Sequence, residues 1–134
     1  LHIVYSPTDN TAGHAHGVLT FANTSQQECA LTGYAKVVFD NPEAQQPMGE
    51  PASHDPSEST DPAVASVDGF STADLTIAQA GIVGGCTIVT ATALLVTPPG
   101  FTQYQYVPID PTPACQNADI GLLAVSSNYI PDGS

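Results

Sequence analysis

The residue pattern predicts an all-β protein, an immunoglobulin-like antiparallel β-sandwich of about seven to nine strands with one long acidic loop. Three observations carry this expectation. Short runs of alternating or β-branched residues recur between turn signals along nearly the whole chain. No stretch holds a 3.6-residue apolar period over three turns. The longest apolar segment, 86–97, is rich in Thr, Ile, Val and Leu and stops at Pro98-Pro99-Gly100, which favours a central strand over a helix. The chain has 134 residues and a mass of 13.8 kDa, the size of a single domain, 1–134. At that mass about two-thirds of the unfolded surface is buried on folding, enough for a substantial core.

The elements follow in order. His2 to Ser6 is a strand, and 7–13 a loop. Gly17 to Ala22 sets Leu19 and Phe21 against Val18, Thr20 and Ala22, the alternation of a half-buried strand. Asn23 to Glu28 is polar and turn-like. Two short strands, 29–32 and 36–40, flank Gly33. From Asn41 to Pro62 there are five prolines, five acidic residues and one β-branched residue, Thr60. That composition predicts a long surface loop or a disordered insert, within one domain since the pieces on either side are too small for separate cores. Ala63 to Val67 is a strand closed by an Asp68-Gly69 turn. Thr72 to Ala78 places Ala73, Leu75 and Ile77 on one face. Gly81 to Gly85 is loop, 86–97 the central strand, and 102–109 a strand with Tyr104 and Tyr106 on one face. Asp119-Ile120 begins one turn at most, and Gly121 to Ser126 is the last strand. Trp is absent, so no antibody-type Trp packs on a disulfide. No internal repeat is visible.

Charge excludes several function classes. Lys36 is the one residue of Lys or Arg type, against thirteen Asp and Glu, for a formal net charge of -12. Nucleic-acid binding needs several basic side chains against phosphates, and this chain cannot supply them. Anionic membrane surfaces repel it. Arg–carboxylate recognition and Lys Schiff-base chemistry are nearly excluded. Solubility, a cationic partner or a divalent metal remain. The most apolar stretch, 91–96, broken only by Thr92, is far too short to cross a bilayer, and no signal-peptide pattern stands at Leu1.

The three cysteines, Cys29, Cys86 and Cys115, form no Cys-x-x-Cys pair and no zinc-finger spacing. A structural disulfide in an extracytoplasmic protein is the natural reading. Three cysteines allow three single bridges and leave one thiol over, for an intermolecular bond, a free thiol or a partner outside this chain.

The blocks Leu19-Thr20-Phe21-Ala22-Asn23-Thr24 and Cys29-Ala30-Leu31-Thr32-Gly33-Tyr34 come first. Gly69, Ala73 and Leu75 follow, then Cys86, Leu94-Leu95-Val96-Thr97-Pro98-Pro99-Gly100 and Ala114-Cys115. In order and spacing this set resembles domain of unknown function 4232, a family of secreted proteins and lipoproteins of actinobacteria. The likeness spans the chain apart from the acidic loop. It implies a Cys86–Cys115 disulfide. It also implies a further Cys shortly before the position of Leu1, to which Cys29 would pair, and a possible lipid anchor upstream. Ala35 departs from the family, which commonly has Pro there, and the 41–62 loop is long and acidic.

His14-Ala15-His16 puts two imidazoles on one side of an extended segment, the start of a zinc or copper site. A third ligand would have to come from His2, His54 or a carboxylate. Asp55, Glu58 and Asp61 stand at three-residue spacing but lack an EF-hand's glycine turn, and Pro56 and Pro62 interrupt them. Asn23-Thr24-Ser25 is formally a glycosylation acceptor, here a strand-to-turn feature. No serine sits in a nucleophile elbow, and Gly84-Gly85-Cys86 is better explained by a disulfided Cys86 than by a reactive thiol. No carboxylate pair is singled out, and 81–85 lacks the Lys and helix of a phosphate loop. Phe101, Tyr104 and Tyr106 form an aromatic group that either packs on the core or on the sheet, or binds glycan or protein.

These readings lead to a non-enzymatic secreted or cell-envelope module with no cofactor, no metal site and no nucleic-acid partner, binding an unknown protein or polysaccharide. The alternative is a metal-binding surface protein using His14, His16 and acidic residues.

Overall fold

A computed structural model describes residues 1–11, 13–41, 46–54, 62–82, 84–117 and 120–131. These form ten strands: β1 (His2–Thr11), β2 (His14–Ala22), β3 (Cys29–Leu31), β4 (Lys36–Asn41), β5 (Gln46–Met48), β6 (Ala63–Ala65), β7 (Phe70–Ala78), β8 (Ile88–Thr97), β9 (Gln105–Cys115) and β10 (Leu123–Val125). One 3₁₀ turn, Ala80–Ile82, lies in the region expected to be loop. The all-β expectation holds, with ten strands rather than seven to nine.

Two four-stranded sheets, in the orders β1-β2-β7-β10 and β5-β4-β8-β9, build the sandwich, and β3-β6 forms a two-stranded ribbon. Every strand ladder is antiparallel. Set beside the immunoglobulin order, β1, β2 and β7 stand as A, B and E, and β5-β4-β8-β9 as C′-C-F-G. The C-terminal strand β10 takes the place beside E that strand D would hold. The core is made by period-two alternation. Ile3, Leu19, Phe21, Ala73, Leu75, Ile77, Leu123 and Val125 meet Val37, Phe39, Leu94, Val96 and Val107. The predicted inward face of β7 (Ala73, Leu75, Ile77) is therefore correct, and β8 is central, between β4 and β9.

Three sequence expectations change. The first strand does not stop at Ser6. It continues to Thr11 across a bulge, since Pro7 faces Gly17 while Asp9 faces His16, leaving Thr8 extra. The Tyr5 ring lies where a Cβ on Gly17 would stand, so glycine makes room for it. The second change is in 41–62, which is not loop throughout. Met48 on β5 is buried in the core, the Ala52 amide donates to the Val37 carbonyl, and Ser53 bridges to Ala124. An isolated Met among prolines carries no periodic signal, yet an edge strand tolerates the neighbouring Pro47. The third change is in β9, which runs through Pro108, Pro111 and Pro113 to Cys115 instead of ending at Ile109. Pro108 faces Ala93 and Thr112 faces Ala91, so Ile109-Asp110-Pro111 bulge opposite Thr92 alone.

Proline also marks the open edges of the two four-stranded sheets: Pro7 in β1, Pro47 in β5 and three in β9. The remaining edge, β10, is covered, because the Ser53 amide donates to the Leu123 carbonyl and the Val125 amide to the Ser53 carbonyl. A missing amide donor on each exposed rim blunts strand addition by another chain. After β8, Thr97 leads into a turn closed by the Phe101 amide on the Pro98 carbonyl, with Gly100 at φ +82°. Pro99 followed by a left-handed glycine is the sequence a type II turn requires.

Candidate functional site

The outer face of the first sheet is polar and has small side chains. Its register lines up Asp9, His16, Thr76 and Ala124 in one row, continued by Ser53 beyond β10. The next row holds Ser6, Val18 and Asp74, and the third Val4, Thr20, Thr72 and Tyr129. Two depressions cross this face. One, of about 410 Å³, is lined by residues that include Ser53, His54, Ala124 and Ser126. The other, of about 510 Å³, is lined by residues that include Thr8, Asp9, His16 and Val18. Asp74 and Thr76 line both, so the two depressions adjoin at these side chains and together make a shallow, open trough.

Asp74 sits at its centre. The Tyr129 hydroxyl donates to Asp74 Oδ1 at 2.7 Å, and the Asp74 amide donates to Ser126 Oγ at 2.8 Å. Burial is the main cause that pushes the Tyr129 hydroxyl above its usual pKa, and the Asp74 carboxylate adds to it. Thr76 Oγ1 and His16 Nδ1 lie 3.4 Å apart. At the far rim His54 stacks on Tyr34, with ring centroids 4.0 Å apart and planes at 22°.

The outer face of the second sheet differs in character. Tyr106, Leu95 and Val38 form an apolar row, of which Leu95 and Val38 are buried. Phe101, Tyr104 and Tyr106 are 50%, 52% and 58% exposed and lie outside the core, with about half of each residue still covered. Tyr106 faces out because β9 alternates and its inward position there belongs to Val107, while Phe101 and Tyr104 precede the strand. Asp40 lies on the same strand face as Val38 and is only 4% exposed, and this burial raises its carboxyl above the usual carboxylate range. A third feature, a cleft of about 330 Å³, lies between Tyr5, Pro7 and Ala15 on one sheet and the β9 bulge (Pro108, Ile109, Asp110) on the other.

The predicted site residues are distributed as follows. Cys86 and Cys115 are disulfide-bonded, with Cα atoms 5.3 Å apart, and tie the start of β8 to the end of β9. Cys29 is a half-buried free thiol on β3, packed against the core. His14 and His16 do share the outward face of β2. His2, however, faces Ala22 at the far end of β1, about 20 Å from His16 by strand rise. His54 follows Ser53, three strand spacings or about 14 Å across the sheet. Among the described residues no three His, Cys, Asp or Glu side chains gather to hold a metal ion, so the ligand set of the metal alternative is not assembled there. Asp55, Glu58 and Asp61 lie outside the described residues.

Asn23 is an internal brace. Its Nδ2 donates to the carbonyls of Gln27, Ala65 and Ser66, and its Oδ1 accepts from the amide and hydroxyl of Ser25. At 3% exposure its side chain is spent on the turn, not offered for glycosylation.

Sequence reasoning missed Asp9, Asp74, Thr76, Ser126 and Tyr129 as neighbours. Outward alternation along β7 carried part of the signal, but only sheet register brings β1, β2 and β10 beside it. Among the described residues no helix is long and apolar enough to cross a membrane. No curated protein and no solved structure matches the chain. The model of a domain of unknown function, DUF4232, matches residues 1–127, and the sandwich with its Cys86–Cys115 bridge belongs to a chain that is a member of that family.

Proposed function

We propose that this chain is a non-enzymatic module of the secreted or cell-envelope space that binds a protein or polysaccharide through an exposed sheet face. The observation that carries the reading is the aromatic group Phe101, Tyr104 and Tyr106, each at least half exposed on an edge strand and its turn. Apolar rings with polar tips are the groups that stack on sugars and anchor protein interfaces. The Cys86–Cys115 bridge supports an oxidising compartment, because such bonds persist outside the reducing cytosol. The nearly complete lack of basic side chains supports a partner that is neither nucleic acid nor an anionic lipid surface.

The test is co-sedimentation with cell-envelope fractions whose polysaccharide and protein components have been separated. One fraction should retain the chain, and a Tyr104→Ala/Tyr106→Ala variant should lose at least tenfold in retention. No retention by any fraction, or equal retention of the variant, overturns this reading.

A further inference from the structure

We propose that the trough on the outer face of the β1-β2-β7-β10 sheet docks an extended basic segment of a protein partner, with Asp74 receiving a lysine ammonium or arginine guanidinium group. This deepens the binding-module reading but rests on the sheet opposite the aromatic group.

Shape comes first. The trough crosses the strands from Thr8 and Asp9 on β1 to Ser53 and His54 beyond β10. Four strand spacings make it about 19 Å long, room for five or six residues of extended chain. Val18, Thr76, Ala124 and Ser126 keep the floor low, and the β1 bulge beside Asp9 and the His54–Tyr34 stack form its two ends.

Charge complementarity then selects the occupant. The lining residues include Asp9 and Asp74 and neither Lys nor Arg. Lys36, the chain's one basic residue of that kind, lies on β4 in the other sheet. The Tyr129 hydroxyl fixes Asp74 through Oδ1, while Oδ2 takes no hydrogen bond from a described residue. A carboxylate held in one orientation with an oxygen to spare suits a charge-assisted bond from a cationic side chain. The formal charge of -12 steers a basic partner toward the molecule over longer range. Strand addition is the competing mode, and proline in β1, β5 and β9 with Ser53 over β10 disfavours it at the edges of the two four-stranded sheets, which leaves their faces.

The experiment titrates the ¹⁵N-labelled chain with an acetylated, amidated hexapeptide alternating Lys or Arg with Ala, and with a neutral Gln-for-Lys/Arg control peptide. Shifts should concentrate at 8–9, 16–18, 74–76 and 124–126. Affinity should fall at least tenfold in Asp74→Asn, remain in Tyr104→Ala/Tyr106→Ala, and weaken steeply from 50 to 500 mM salt. Asp74→Asn keeps an oxygen for Tyr129, and Asp9→Asn serves as a second variant should the first melt early. Shifts spread over all acidic residues, equal binding by Asp74→Asn, or equal binding of the neutral peptide would overturn the proposal. So would a soluble envelope polysaccharide occupying the same rows. Loss of envelope retention on aromatic substitution bears only on the earlier reading.

Discussion

The two outer faces of the sandwich come from the same period-two alternation, yet they are built oppositely. On the first sheet the outward rows are Asp9-His16-Thr76-Ala124 and Ser6-Val18-Asp74, small and polar, in contact with water. On the second sheet the outward row is Tyr106-Leu95-Val38, in which Leu95 and Val38 are buried and large aromatic rings stand exposed at the edge. The first face can recognise charge and hydrogen-bonding groups, and the second offers apolar area. The segment 50–54 runs along the edges of both sheets, its Ala52 amide on the Val37 carbonyl of β4 and its Ser53 paired with β10.

The largest expected effect comes from the disulfide, which ties only the second sheet. Reduction, or Cys86→Ala with Cys115→Ala, should cost about 3–4 kcal/mol, the loop-closure value for a span of this length. The urea midpoint with and without reductant measures it. If the hairpin β8–β9 alone loosens, hydrogen exchange should rise there and not in β1, β2 and β7. Next is Asn23→Ala, which removes one donor from the carbonyls of Gln27, Ala65 and Ser66, while the Gly69 amide still reaches Ser66 and the Ser25 hydroxyl Gln27, and should cost about 1–2 kcal/mol. An equal melting temperature for wild type and variant would show that this brace is not what holds the β2–β3 connection.

A smaller effect distinguishes the faces by pH. Burial raises the Asp40 carboxyl, so the folded state holds the proton more tightly than the unfolded state. The folded state therefore gains stability as pH falls through the folded-state pKa, and loses it as pH rises above the usual carboxylate value. Asp40→Asn should be more stable than wild type at pH 7, and the difference should vanish below the ordinary pKa of 3.8. Thermal melts from pH 3 to 7 check the sign. The smallest effect is on stability itself: Tyr104→Ala and Tyr106→Ala should each shift it by no more than about 0.5 kcal/mol, as exposed side chains do. A larger loss would mean that these rings are packing residues after all.

The inward residues were legible because alternation names them directly. Leu19, Phe21, Ala73, Leu75 and Ile77 are in the core as their spacing requires. Pro98-Pro99-Gly100 likewise dictates its turn. The extension of β1 past Pro7 and of β9 past Pro108 was not legible, because proline forbids a central strand but not an edge, and edge status is a property of the sheet. Met48 was hidden among prolines and acids. The trough was illegible for a related reason. His16, Asp74, Ala124 and Ser53 are far apart in sequence, and only register places them in neighbouring rows. The His14–His16 pair was read correctly as one-sided, but proximity in sequence supplied no third ligand from His2 or His54.

The central claim, that this DUF4232 domain is a binding module whose exposed faces meet a partner, is tested most directly by hydrogen–deuterium exchange on the chain with and without envelope extract. The account predicts partner-dependent protection at 101–107, at 74–76 with 124–126, or at both, and none at the inward core strands beyond their native protection. Protection nowhere on the molecule, or confined to residues away from both faces, would contradict it.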